Sequence, residues 1–286
     1  MNVIEVRGLR FKYRRSQRYA LDGINLKVKK GEFLGIVGPS GSGKSTLCLT
    51  FNGIIPHSIR GEFEGEVVVT DPETGEEYIT SETPVSKLST IVGLVLQNPE
   101  SQIFNMTVEE EVAFALENLG LPREEILERI EWALRIAGLE DKRDEFPPNL
   151  SGGEQQRLAI AAILAMKPKV LVLDEPTTQL DPAGRRGVLE MISKLNREEG
   201  ITVVLVDHNT DFLFRRADRI VAIDHGRILL EGTPRELVSR IDELKEIGVK
   251  LPPALEVYSR LKSQKSELSE IILEAFFHAS ERPRDE

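Results

Sequence analysis

The sequence predicts an α/β fold on a mixed sheet, with an antiparallel β portion and an inserted block of helices. Three observations carry that expectation. Short apolar runs at 91–96 (IVGLVL), 170–173 (VLVL) and 202–206 (TVVLV) are separated by helical patterns, as in parallel βαβ units buried on both faces. The first thirty residues instead alternate apolar and polar, as half-exposed antiparallel strands do. Between 107 and 137 two helical patterns follow one another with no strand between them.

Taken in order, Leu9, Phe11 and Tyr13 interleave with Arg10 and Lys12, and Ile24, Leu26 and Val28 with Asn25 and Lys27. Phe33 to Val37 is a short apolar run closed by Gly-Pro, which suits a central strand. Glu62 to Ile79 reads as an antiparallel excursion with its turn around DPETGEE. The first inserted helix starts at Thr107, with Glu110 completing a capping box, and its expected apolar face is Val108, Val112, Ala115 and Leu119. The second has Pro122 near its start and Ile126, Ile130, Ala133 and Ala137 on one face. Residues 219 to 231 read as a hairpin turning at Asp224-His225-Gly226. From Pro234 the chain is charged and helical, with a break at Leu251-Pro252-Pro253. The expected division is a main domain over 1–233, holding a helical subdomain at about 98–160, and a C-terminal accessory segment over 234–286 whose end, ERPRDE, frays.

The bulk numbers exclude several classes. Lys and Arg total 37 against 47 Asp and Glu, a net charge of −10 that disfavours a nucleic-acid coat. The single cysteine, Cys48, permits no intrachain disulfide and reads as core packing. The longest apolar run, Leu158 to Met166, falls short of the roughly 20 residues of a membrane span, and the charged start is unlike a signal peptide. A soluble, cytoplasmic chain is expected, with any membrane role supplied through partners. Trp132 reads as a helix–helix contact, and the scattered His57, His225 and His278 suggest no metal site.

GPSGSGKST at 38–46 fits the phosphate-binding loop G-x-x-x-x-G-K-[ST], with an apolar strand before it and a helix-compatible run after. Gly38, Gly41 and Gly43 let backbone N–H groups turn toward phosphate oxygens, and the helix N-terminus adds its positive end. Lys44 would reach the β- and γ-phosphates, Ser45 would place its hydroxyl on Mg²⁺, and Thr46 would support the α-phosphate side. KVLVLDEP (169–176) is a buried strand ending in two carboxylates. Asp174 can hold Mg²⁺ through water, and Glu175 can take a proton from an attacking water. Gln97 and His208 each follow a strand run. Gln97 can contact the metal and the water or be an ordinary polar strand end, and His208 can hydrogen-bond the γ-phosphate region or be a surface histidine. LSGGEQQR (150–157) opens another helix. Ser151 and Glu154 form a capping box, while Gly152 and Gly153 between them leave a second anion-ready helix start.

In this order and spacing, GPSGSGKST, Gln97, LSGGEQQR, VLVLDEP, the LDP at 180–182 and His208 resemble the ATPase subunit of ATP-binding cassette (ABC) transporters, over about residues 3–233. The resemblance implies a P-loop NTPase fold of the ABC ATPase type that binds and hydrolyses ATP with Mg²⁺. It implies that Gly38, Ser40, Gly41, Ser42, Gly43, Lys44, Ser45 and Thr46 cradle the triphosphate, and that Ser45, Gln97 and Asp174 hold the metal. Glu175 becomes the catalytic base, Gln97 the link to the transporter, His208 the switch histidine and Tyr13 the ring that stacks on adenine. Asp181 crosses a dimer interface, and Ser151, Gly152, Gly153 and Glu154 complete the partner's ATP site in a head-to-tail pair. Two departures stand out. Gln179 replaces a small residue, and Asp207 precedes the histidine where threonine is common.

A narrower resemblance lies in QNPESQIFNMTVEEEVAFALENLGLPREEI (97–126), FNGIIP and LPPALEVYSRL. These are similar to the ATPases of energy-coupling factor importers, which take up vitamins or cobalt and nickel. That group implies a second ATPase subunit (identical or paralogous), a transmembrane scaffold subunit and a membrane substrate-binding subunit, at the cytoplasmic face of the cell membrane and without nucleic acid. It also implies that the C-terminal tail helps hold the pair together. Glu109, Glu110, Glu111 and Glu117 crowd one helix. They suit either the helix dipole or a docking groove for a basic coupling helix. Another ABC importer ATPase, or a soluble one such as an iron–sulfur assembly factor, shares the motifs.

Overall fold

The alternating N-terminal segment pairs as expected. β1 (Asn2–Tyr13) and β2 (Leu21–Lys29) are antiparallel, and β4 (Gly61–Thr70) and β5 (Glu77–Ile79) extend them into a four-stranded sheet of order β2-β1-β4-β5. β3 (Phe33–Val37) leaves this sheet for a second one and leads into α1 (Lys44–Phe51) and the short α2 (Ile54–His57). The structure, a computed structural model, describes residues 1–264 and 268–281. The expectation for the extreme end, beyond residue 281, lies outside the described residues.

The second sheet runs β10-β9-β3-β8-β7-β6. After α3 (Val85–Leu88), β6 (Val92–Val95) forms its edge. Then come α4 (Val108–Asn118), α5 (Arg123–Ala137) and α6 (Gly152–Ala165), the inserted helices, before β7 (Val170–Asp174). α7 (Pro182–Arg197), β8 (Thr202–Val206) and α8 (Thr210–Arg216) follow, and β9 (Arg219–Asp224) with β10 (Arg227–Gly232) closes the sheet as the expected hairpin. Strands β6, β7, β8, β3 and β9 are mutually parallel.

The continuous apolar runs are explained by burial on both faces. Val170, Val172, Val204 and Val206 point into the core between the two sheets, together with Leu47, Cys48 and Phe51 of α1. Leu171, Leu173, Val203 and Leu205 point the other way, into the core under the helices. Side chains of this size contribute about 1.5–3 kcal/mol each on full burial. The phosphate-loop helix is thus held between two sheets, and Cys48 is packing, with its thiol pushed well up by burial.

The tail, α9 (Pro234–Ser239), α10 (Ile241–Glu246), α11 (Pro253–Ser263) and α12 (Leu268–Glu281), puts Leu237, Val238, Ile241, Leu244 and Leu255 into the same helical-side core. Thr210 Oγ1 at the start of α8 donates to the carbonyl of Lys250 at 2.6 Å, which pins the loop before α11 to the end of β8. Among the described residues, no helix is long and apolar enough to cross a membrane.

The inserted block differs from its expected pattern at α4. The buried residues are Val108, Glu111, Val112, Ala113 and Leu116, while Leu119 is 40% exposed. The helix ends at Asn118, so its buried line follows 108, 112 and 116 and never reaches Leu119. The acid cluster is divided by role. Glu110 completes the capping box with Thr107, and Glu109 pairs with Arg143. Glu111 is buried and accepts from Phe104 N (3.0 Å), Asn105 N (2.9 Å) and Asn105 Nδ2 (3.0 Å). Of the four, Glu117 is left as an exposed charge. Glu111→Ala would leave three donors without their acceptor, each missing partner costing about 1–3 kcal/mol. We expect a melting temperature lower by several degrees in a calorimetric scan, with Glu117→Ala within error of the parent.

Candidate active site

In parallel sheets, ligands bind outside the carboxyl ends of the strands. Here β3 delivers the loop 38–46, β6 delivers Gln97, β7 delivers Asp174 and Glu175, and β8 delivers Asp207 and His208. Residues far apart in sequence therefore meet because their strands are neighbours in the order β3-β8-β7-β6.

Glu175 is the centre of the group. Its Oε1 lies 3.0 Å from His208 Nε2, and its Oε2 accepts from Gln97 Nε2 at 3.3 Å and Thr178 Oγ1 at 3.3 Å. Its backbone is left-handed (φ 51°), a conformation that costs a non-glycine residue about 1–3 kcal/mol and is held by the Glu175 N–H bond to Val206 O at 2.8 Å. Thr178 escaped the sequence reading, although a Thr-Thr pair directly after the strand-end carboxylates and Pro176 is a readable signal.

Asp174 is buried, and burial raises its pKa despite a hydrogen bond from Ser45 and the charge of Lys44. Its Oδ1 has no hydrogen-bond partner. Ser45, Gln97 and Asp174 offer oxygen donors, and the orphaned carboxylate oxygen is what a hard cation would satisfy; this set fits Mg²⁺. One carboxylate with a hydroxyl and an amide is a sparse set, completed in such sites by phosphate oxygens and water. No group of three or more His, Cys, Asp or Glu that could hold a metal ion is found among the described residues.

In the loop itself, Lys44 is buried and donates to the carbonyls of Gly38 (3.0 Å) and Pro39 (2.9 Å). Burial lowers its pKa, against the pull of Glu175 and Asp174. Gly41 (φ 78°) has open space where a Cβ would stand, whereas a Cβ on Gly43 (φ 108°) would sit 2.4 Å from Ala20 O. Ser40 and Ser45 are exposed, and the hydroxyl of buried Ser42 has no partner. Tyr13 ends β1 beside this loop. Its hydroxyl is 3.0 Å from Thr46 Oγ1, and its ring meets Phe11 edge to face at 4.9 Å.

LSGGEQQR lies on a different depression, about 540 Å³, lined by Ser151, Gly152, Gly153, Glu154, Arg157, 179–181, Ala183 and Gly184. Among the described residues, none of 38–46 lines it. The capping box is present: Glu154 Oε2 accepts from Ser151 N (2.8 Å) and Ser151 Oγ (2.7 Å), and these bonds lower the Glu154 pKa. The N–H groups of Gly152 and Gly153 fall in the first turn, where a helix has no acceptor of its own. The two glycines divide the work. Gly152 is exposed and a Cβ there would meet only Leu180 Cδ2, at 3.6 Å. Gly153 is buried, and its Cβ would stand 2.8 Å from the Cα of Gly184. Asp181 caps α7 by accepting from Gly184 N at 2.7 Å, so it fixes the other side of this contact.

The family model for ABC transporters, described as "ABC transporter", matches residues 21–178. The chain belongs to the ABC transporter family. It is 62% identical over 92% of its length to a Pyrococcus horikoshii protein named as an ABC transporter ATP-binding protein, of which it covers 91%. It is 44% identical to the energy-coupling factor transporter ATP-binding protein EcfA1 of Caldanaerobacter subterraneus, over 88% of this chain and 87% of that one. Among solved structures, cbiO1 from Clostridium perfringens, described as part of the ABC transporter complex cbiONQ, superposes with a TM-score of 0.74 at 32% identity, covering 90% and 99%. The cassette MJ0796, solved as a dimer in a post-hydrolysis state with ADP and Pi, gives a TM-score of 0.68 at 31% identity, covering 81% and 99%. The chain is thus an ATP-binding ABC ATPase with ATP hydrolase activity, and its relatives include energy-coupling factor ATPases.

Proposed function

We propose that this ABC ATPase energises a membrane importer of the energy-coupling factor type, for a vitamin or for cobalt or nickel, as a head-to-tail pair with ATP between subunits. The observation that carries the pair is that Ser151–Glu154 line a depression to which loop 38–46 contributes no residue. Two copies supply both halves to each ATP. The dimeric MJ0796 cassette and the EcfA1 relative support the same reading.

Loop 38–46 would cradle the triphosphate, with Lys44 exchanging the Gly38 and Pro39 carbonyls for phosphate oxygens. Tyr13 would stack on the adenine, and Asp174, Ser45 and Gln97 would hold Mg²⁺. The metal would supply charge stabilisation on the phosphates. Glu175 takes the proton of the attacking water, His208 and Gln97 orient that carboxylate, and Gln97 reports the site to the membrane subunit. Ser151, Gly152, Gly153, Glu154 and Asp181 serve the partner's ATP. We assign residues 1–233 to the ATPase domain, about 98–160 to its helical subdomain, and 234–286 to a dimerisation segment.

The docking surface for the scaffold subunit would be the apolar patch after Gln97. Phe104 is 63% and Met106 67% exposed, and Phe104 meets Phe114 edge to face at 4.7 Å. Bare aromatics of this kind mark partner sites. Buried Glu111 holds the backbone of 104–105 from beneath, and exposed Glu117 supplies a charge that suits a basic coupling helix. Co-expressed with the membrane subunits of an energy-coupling factor importer, the chain should sit peripherally on the cytoplasmic face and co-purify with a small hydrophobic membrane protein. Phe104→Asp with Met106→Asp should abolish that capture. Undiminished capture would exclude the patch, and no capture by the parent chain would overturn the importer reading.

A further inference from the structure

Position 207 holds a buried carboxylate at the end of β8. Ionised groups are left in such places only when their oxygens are satisfied. Asp207 is 4% exposed, and both oxygens are used. Oδ2 accepts from Thr177 Oγ1 at 2.7 Å, and Oδ1 accepts from Asn209 N at 2.6 Å. The two bonds hold different loops. Thr177 lies between Glu175 and Asp181, on the loop after β7. Asn209 lies directly after His208, and its own side chain caps α8 by accepting from Phe212 N at 3.3 Å.

A third element faces the same carboxylate. Arg185 of α7 donates from Nη2 to Leu180 O at 3.4 Å, its Nε is buried without a partner, and its charge acts on Asp207. The far end of the His208 loop is fixed independently, because Thr210 Oγ1 is bonded to the Lys250 carbonyl at 2.6 Å. Beside the direct His208–Glu175 contact, Asp207 is therefore a second tie between the His208 loop and the Glu175–Asp181 loop, and the one that reaches Thr177.

We propose that Asp207 is a positioning residue that locks the His208 loop to the loop carrying Glu175 and Asp181, and so couples the two ATP sites of the pair. The inference rests on the head-to-tail reading above. His208 and Glu175 serve the chain's own nucleotide, while Asp181 serves the partner's. A carboxylate that ties them makes movement at one site a movement at the other, which is the physical content of coupling between sites.

The test is steady-state ATP hydrolysis against ATP concentration for the full chain and for Asp207→Asn, Thr177→Val and Thr177→Ser, with equilibrium binding of a fluorescent ATP analogue measured alongside. The parent should show a Hill coefficient well above 1. Asp207→Asn and Thr177→Val should bring it to about 1 and lower kcat about tenfold, with analogue binding unchanged within twofold. Thr177→Ser, which keeps the hydroxyl, should restore cooperativity. A parent Hill coefficient of 1, cooperativity retained in Asp207→Asn or Thr177→Val, or equal losses in the Ser and Val variants would each overturn the proposal. Failure of the underlying reading has a separate signature: Glu175→Gln running as a monomer with ATP bound on a sizing column.

Discussion

Glu175→Gln should lower ATP turnover by about 10²–10⁴-fold, the usual contribution of a positioned general base. It should also leave an ATP-dependent dimer that persists on a sizing column. The substitution is nearly isosteric, so contacts with Gln97, Thr178 and His208 can be kept in shape while the ability to take a proton is lost. The left-handed backbone at 175 and the bond to Val206 O do not depend on the side chain's charge. Moving a pair from mostly open to mostly closed needs roughly 5.5 kcal/mol of differential binding. Hydrogen bonds to charged groups contribute about 1.5–3 kcal/mol each, so two at each of two sites are enough. With the γ-phosphate never removed, that sum stays in place. Turnover within threefold of the parent would refute the assignment of Glu175, and a monomer that carries ATP would refute the pairing.

The frame of this site was legible because its parts are local signals. GPSGSGKST sits between an apolar run and a helix, and it emerges between β3 and α1. The capping boxes at Thr107 and Ser151 are four-residue patterns, and both are formed. The strand runs at 170–173 and 203–206 are apolar throughout because each face meets a different core. That Gln97, Glu175 and His208 end strands could be read one by one. That they converge depended on strand order, which no local pattern records.

The illegible part is long-range. Glu111 looked like one more acid in a charged first turn, yet it is buried under the backbone of residues 104–105, a contact fixed by the path of the preceding loop. Asp207 looked like a departure and is a bridge to Thr177, thirty residues away. The tail looked separable at Pro234, but its leucines complete a core begun by residues two hundred positions earlier. In each case the partner is set by tertiary packing, which overrides what the neighbouring residues suggest.

Gly153→Asp should abolish hydrolysis, and the structure gives it two separable causes. The first is at the interface: a carboxylate beside the anion-ready turn at Ser151–Glu154 would repel the partner's γ-phosphate. The second is inside the subunit. A Cβ at 153 would stand 2.8 Å from the Cα of Gly184, and backbone on both sides leaves no flexible atom to yield. Overpacking of this kind costs about 1–3 kcal/mol, enough to displace α6 against α7 and to disturb Asp181, whose Oδ1 holds Gly184 N at 2.7 Å. Gly152→Asp separates the causes, because a Cβ at 152 has only an ordinary 3.6 Å neighbour. It should lose hydrolysis through charge while keeping the parent's melting temperature. Gly153→Ala, which adds volume without charge, should lower the melting temperature and impair hydrolysis less than Gly153→Asp. One-sided ATP binding to loop 38–46 should survive in all three, since that loop lies outside the depression they line. If Gly152→Asp hydrolyses ATP normally, the turn at Ser151–Glu154 does not face a phosphate. If Gly153→Ala melts with the parent, the close approach of α6 and α7 at Gly153 and Gly184 is not a constraint on the fold.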